Sequence, residues 1–199
     1  MRHRLEEHVR RYWLIYLTLA SIYLAGIVLG AVGVGALGGQ ETSRLGQFLD
    51  TLLLSQPAAL SPQFLLALAR DTLIIMAGIW LLGLTVVGVP LIYMVVFTRG
   101  FILGFTASFL IEVKGAAGVA LAVVTIFLPA LAAVPLLLLD AGMATIFSFL
   151  LLRGRGKGES LRRDFFYYSL SAALVSLGAV LVGIAQGYFS LLGVHLFGL

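Results

Sequence analysis

The sequence predicts an all-α protein, a polytopic membrane helical bundle of about five transmembrane helices, with broken or short helices in the middle. Three observations carry that reading. Of 199 residues, 61% are hydrophobic and 11% charged, and the mean hydropathy is +1.08, so several segments have no water-facing side. The apolar residues gather into runs of membrane length. The charges, formally +4 in sum, collect near the ends of those runs, where an anionic leaflet attracts the arginines. Little chain remains for a soluble catalytic domain, so residues 1–199 read as a single integral membrane domain.

The first run, Trp13 to Gly35, follows a cytoplasmic basic tail, residues 1–12, with Arg2, Arg4, Arg10 and Arg11. It exceeds the h-region of a secretory signal, about 7–15 residues, and at about 1.5 Å per residue it reaches across the hydrocarbon core, so it reads as a retained transmembrane helix. Tyr12, Trp13 and Tyr16 supply an aromatic belt on the basic side. Residues 36–71 follow as an extracytoplasmic segment. Within it Leu45, Phe48, Leu49, Leu52 and Leu53 repeat with helical spacing behind a Ser43 N-cap, which predicts an amphipathic extracytoplasmic helix at the interface. Ser61-Pro62 then opens a second helix with an N-cap and a proline at the first helical position. Arg70-Asp71 marks where that helix enters the membrane.

No stop signal precedes Gly88-Val89-Pro90, and the apolar run continues through Phe97 to Arg99. Hydrocarbon offers no water to a broken backbone, so glycine, proline and charge inside such a run mark protein packing on protein, or a cavity. Gly83, Gly88, Pro90, Arg99 and Gly100 are therefore candidate site residues. Arg99 has two readings, a pathway or partner-recognition residue and a cytoplasmic anchor snorkelling from the end of the second helix; a completed crossing before it favours the anchor. From Gly100 a third run meets Glu112 and Lys114 after twelve residues, about 18 Å against a core of roughly 30 Å. It is a short or broken helix capped by both charges at the outer surface, or a full one carrying them within the bilayer.

Gly115 to Leu152 is too long for one simple crossing, and Pro129 and Pro135 predict kinks in it. Asp140, isolated in that run, is neutral, bonded to a neighbouring helix or lining a polar cavity. Arg153, Arg155, Lys157, Arg162 and Arg163 crowd residues 153–164, a second cytoplasmic segment, against Glu159 and Asp164. Four crossings therefore separate it from the N-terminus, and a last helix over residues 165–190 makes five, with the C-terminus outside. Gly26 with Gly30, Gly100 with Gly104 and Ala179 with Gly183 are small-xxx-small pairs that suit close helix packing and a homo-oligomer.

The absence of cysteine removes disulfides, thiolate metal sites and a cysteine nucleophile. His3 and His8 are predicted on the opposite side of the membrane from His195, and their spacing does not favour joint ligation. No protease or phosphotransferase motif is visible, so no enzyme activity, cofactor or metal is expected. Without a soluble basic fold a nucleic-acid partner is excluded, and membrane lipids are the expected surroundings. Transporters show several intramembrane ionisable groups or matched broken helices in two halves, and no internal repeat appears here.

The run Trp80, Leu82-Gly83, Gly88-Val89-Pro90-Leu91-Ile92, Arg99-Gly100-Phe101 and Gly104-Phe105-Thr106, followed by prolines 129 and 135, resembles the stage II sporulation protein M family. Chain length and the basic tail are similar too. The resemblance implies a multi-pass protein of the bacterial cell membrane, needed for septal thinning and for engulfment of the forespore by the mother-cell membrane. It implies a platform rather than a hydrolase, one that localises two peptidoglycan-degrading partners, stage II sporulation proteins D and P. The alternative is a channel or ABC-type exporter membrane subunit, which needs a polar path through Arg99, Glu112, Lys114 or Asp140.

Overall fold

The computed structural model describes residues 2–36, 62–85, 87–152 and 159–197, which are helical apart from short turns, with no strand among them. The helices are α1 (Arg2–Gly35), α2 (Pro62–Gly83), α3 (Gly88–Ala122), α4 (Leu128–Leu152) and α5 (Glu159–Phe197), with a π-helical turn, Val123–Phe127, between α3 and α4. Among the described residues four segments are long and apolar enough to cross a membrane: Trp13–Gly35, Gly88–Ala116, Gly118–Leu152 and Arg162–Gln186. Beside them α2, at about 1.5 Å per residue, rises some 33 Å and so also matches the hydrocarbon core. The Ser43 amphipathic helix, the Ser61 cap, Arg153, Arg155, Lys157 and the last two residues lie outside the described residues.

The most extensive contact is α1 against α3, and these helices run parallel. The Thr18 and Tyr93 hydroxyls share a hydrogen bond of 2.9 Å, and farther along the Ser108 hydroxyl donates to the Ala31 carbonyl at 3.4 Å. Between these bonds Gly26 and Gly30 face the backbone of residues 97–105, while Gly100 and Gly104 face the backbone of Tyr23 and Ile27. Missing side chains here let two backbones touch, which in lipid replaces the hydrophobic drive that packs helices in water. The Gly26/Gly30 and Gly100/Gly104 pairs thus meet each other inside one chain.

The other helices follow from their contacts. The Tyr168 hydroxyl donates to the Trp80 carbonyl, 3.0 Å, and Gly183 stands against Thr72, so α5 runs antiparallel to α2. Phe147 stacks on Tyr168 with centroids 4.5 Å apart, while Gly178 touches Leu136, so α5 is also antiparallel to α4. Helices α1, α3 and α5 point one way, α2 and α4 the other.

The second helix does not continue to Arg99, as its hydropathy suggests, but ends at Gly83. The amides of Leu84 and Thr85 donate back three residues to the carbonyls of Leu81 and Leu82, and the Thr85 hydroxyl also donates to Leu82, 2.9 Å. These bonds satisfy carbonyls that a helix end leaves open. A new helix starts at Gly88, and Pro90 lies in its first turn, where a missing N–H has no intrahelical acceptor to lose. The proline opens α3 rather than breaking α2. A Cβ on Gly88 would run into the Leu82 carbonyl. Gly88→Val is therefore expected to destabilise the bundle by about 2 kcal/mol, as overpacking of a rigid contact does, measured as a lowered melting temperature in detergent.

Consequently the third segment is not short. It runs from Gly88 to Gly115, where φ of 57° and ψ of −132° leave the helix, a conformation that only glycine takes without strain. The chain folds back there, bringing Gly118 against the Leu110 carbonyl and Ile111. Glu112, exposed, and Lys114, half-buried, occupy the end of the segment just before this reversal. Beyond it the π turn widens the helix immediately ahead of Pro129, whose ring and absent N–H disfavour regular α geometry upstream. Pro135 is accommodated inside α4.

Candidate functional site

The early end of α2 moves Arg99. It now sits eleven residues into α3, about 17 Å from the helix start, and Gly100 packs on the Tyr23 carbonyl near the midpoint of Trp13–Gly35. The interfacial anchor expected from sequence is therefore corrected: Arg99 is a half-buried charge at the centre of an apolar span. Arg70-Asp71 is corrected with it. Thr72 and Tyr23 line the same cavity as Arg99, and Asp71 is near enough to act on the guanidinium, so the pair lies at mid-height of the bundle rather than at the interface.

Arg99 forms part of the wall of a cavity of about 280 Å³ bounded by helices α1 to α5 and the π turn. Its other polar groups are Tyr23 from α1, Thr72 from α2, Thr106 from α3 and Gln186 from α5. Aliphatic side chains, among them Ile75, Met76, Leu103, Val134 and Leu137, make up most of the remaining wall. Apart from Arg99, none of these polar groups was a candidate from sequence. The signal available was weak: each is a lone hydroxyl or amide inside an apolar run, and nothing in the spacing says that they converge.

A second polar layer lies nearer the Gly83–Gly88 turn. Asp140 is 0% exposed, and neither carboxylate oxygen has a hydrogen-bond partner among the described residues; the same holds for Trp80 Nε1 and Ser169 Oγ. Asp140 lies near Tyr168, whose hydroxyl lies directly over Gly83. Ser148 donates to the Thr85 carbonyl, 2.7 Å, tying α4 to the turn, and Tyr16 of α1 covers Gly142. An unpartnered buried carboxyl group contributes desolvation cost without a compensating bond. Asp140→Leu is accordingly expected to leave stability unchanged or raise it by about 1 kcal/mol, read as an equal or higher melting temperature. A marked loss would show that the carboxyl group is held by a partner.

Of the residues singled out from sequence, Gly100 and Gly104 lie in the α1–α3 seam, Gly88 and Pro90 in the turn, and Gly83 with Asp140 beside Tyr168. Arg99 lines the cavity, and Glu112 and Lys114 are at the far end of α3, so among the described residues the four charged positions fall at different levels of the bundle. Among the described residues no group of three or more His, Asp or Glu side chains is placed to hold a metal ion.

Apolar helices of alternating direction, locked by glycines and carrying a charged cavity at mid-height, define a multi-pass membrane protein. The chain belongs to the family Stage II sporulation protein M, whose match covers residues 19–190, and is on that ground a sporulation-related membrane protein. No curated protein and no solved structure matches it.

Proposed function

We propose that the chain is a non-enzymatic membrane scaffold that anchors and localises peptidoglycan hydrolases during septal thinning and forespore engulfment, with stage II sporulation proteins D and P as partners. Its N-terminus lies in the cytoplasm and its C-terminus outside, since the basic tail and residues 153–164 carry the arginine excess. The observation that supports a platform is the glycine-locked parallel pair α1–α3. It sets Gly35 level with Glu112 and the Gly115 reversal, at the end opposite the Gly88 turn, and the connection from α1 to α2 leaves from that same end. A rigid pair whose Gly35 and Gly115 ends both point to the outer face suits partners that work on the cell wall.

Replacing residues 37–61 with a neutral linker of equal length is expected to abolish co-purification of the two hydrolase partners while leaving the melting temperature of the bundle unchanged. Undiminished co-purification contradicts this reading. The central position of Arg99 favours a second reading, a channel or ABC-type exporter membrane subunit. Proteoliposomes that show no flux with either wild type or Arg99→Ala remove it.

A further inference from the structure

We infer that the Arg99 cavity is a binding site for an anionic amphiphile drawn from the bilayer, its phosphate or carboxylate head on the guanidinium and its chain among the aliphatic side chains. An arginine at the middle of an apolar span costs several kcal/mol unless its charge and its donors are matched. Asp71 contributes charge, yet it is exposed and does not line the cavity. A guanidinium has five N–H donors, of which a single carboxylate takes at most two in a bidentate pair, so donors remain for a second anion. Tyr23, Thr72, Thr106 and Gln186 converge on the same space, and no acidic side chain is among the described residues that line it. The charged group among the described residues that line the cavity is a cation with donors to spare, which suits an anion.

The remaining wall selects what the anion is attached to. It is aliphatic, and the volume of about 280 Å³ lies just under the roughly 300–1,000 Å³ of sites for drug-sized ligands. This suits a head with one chain and is small for a two-chain lipid. Access is lateral: Ile102, 49% exposed, and the exposed Thr106 and Gln186 form part of the wall, so the mouth opens on the lipid-facing surface. The π turn supplies Ile126 to the wall, and α4 follows it there with Ala130 and Ala133. A widened turn followed by small side chains makes room where regular packing would close the gap, a use to which π turns are often put at functional sites.

The test uses the full chain in a neutral maltoside detergent, with bound adducts counted by native mass spectrometry. Dodecyl phosphate and laurate are the probes, dodecyltrimethylammonium the control for chain alone, and inorganic phosphate the control for head alone. One dodecyl phosphate or one laurate per chain is expected, each displacing the other, with neither control bound. Arg99→Gln should lower the affinity about tenfold or more, the worth of a charge-assisted hydrogen bond. Thr106→Trp blocks the mouth from an exposed position; it should abolish binding without lowering the melting temperature, and it decides the matter if Arg99→Gln does not fold. Undiminished binding to Thr106→Trp, equal binding of dodecyltrimethylammonium, or displacement of dodecyl phosphate by an equal concentration of inorganic phosphate overturns the inference.

Discussion

Gly104→Leu is expected to destabilise the bundle by about 3 kcal/mol or more and to separate α1 from α3. A Cβ at Gly104 meets the Ile27 carbonyl and comes within 2.8 Å of the Ile27 Cα, and one at Gly30 comes within 2.8 Å of the Phe105 nitrogen. Overpacking usually costs about 1–3 kcal/mol when side chains can shift. Here the obstacle is backbone on both sides of the seam, so relief requires moving a whole helix. The hydrogen bonds between Thr18 and Tyr93 and between Ser108 and Ala31 would be lost with the displacement. Gly78 is the control, since a Cβ there meets nothing within 4 Å. Gly78→Ala should stabilise by about 0.5–1 kcal/mol through helix propensity alone. Thermal unfolding in detergent separates the two signs, and a Gly104→Leu protein as stable as wild type would remove the α1–α3 seam as the frame of the fold.

The second large effect is expected at Arg99. Arg99→Leu removes a cation that acts on Asp71 at mid-height of the bundle and leaves that acid with the exposed Arg70 next to it in sequence. A fully uncompensated acid at the bilayer centre costs about 2.5–3.5 kcal/mol on insertion scales, which is the upper limit of the expected loss. Arg99→Leu combined with Asp71→Leu removes both charges and should recover most of that loss, because replacing an ion pair by apolar groups is often neutral. The double-mutant cycle therefore has a coupling energy of the sign an attractive pair gives, which independent sites do not show. Additive effects of the two substitutions would show that the charges do not face each other.

Much of this arrangement was legible in the sequence, and the misreading has one physical source. Trp13–Gly35 declared itself by length and by flanking arginines, and the Gly26/Gly30 and Gly100/Gly104 spacings pointed to close backbone approach, though not to each other as partners. Pairing requires knowing which helices are neighbours, and spacing within a segment carries no such information. The run from Trp80 to Leu110 was misjudged because hydropathy averages over a turn only a few residues long. Leu84 and Thr85 close α2 by donating their amides, and Thr85 also its hydroxyl, to the Leu81 and Leu82 carbonyls, a local effect that leaves the apolar run unbroken. Pro90 can mark either an interruption or a start, and only the Gly83 boundary decides in favour of the start. Once that boundary moved, Arg99 moved from the end of one helix to the middle of the next, and Arg70-Asp71 followed. The cavity was out of reach for a further reason: Tyr23, Thr72, Thr106 and Gln186 come from four helices, and no local pattern links them.

The depth of residue 102 tests this central placement most directly. The chain has no native cysteine, so Ile102→Cys and Val87→Cys each carry a single spin label in bilayers, one turn beyond Arg99 and in the α2–α3 turn, where Val87 is 71% exposed. With Arg99 in the middle of a spanning helix, the label at 102 shows high collision with oxygen and little with a water-soluble nickel complex, while the label at 87 shows the reverse. Nickel access at 102 equal to that at 87 would return Arg99 to the membrane surface and contradict the account.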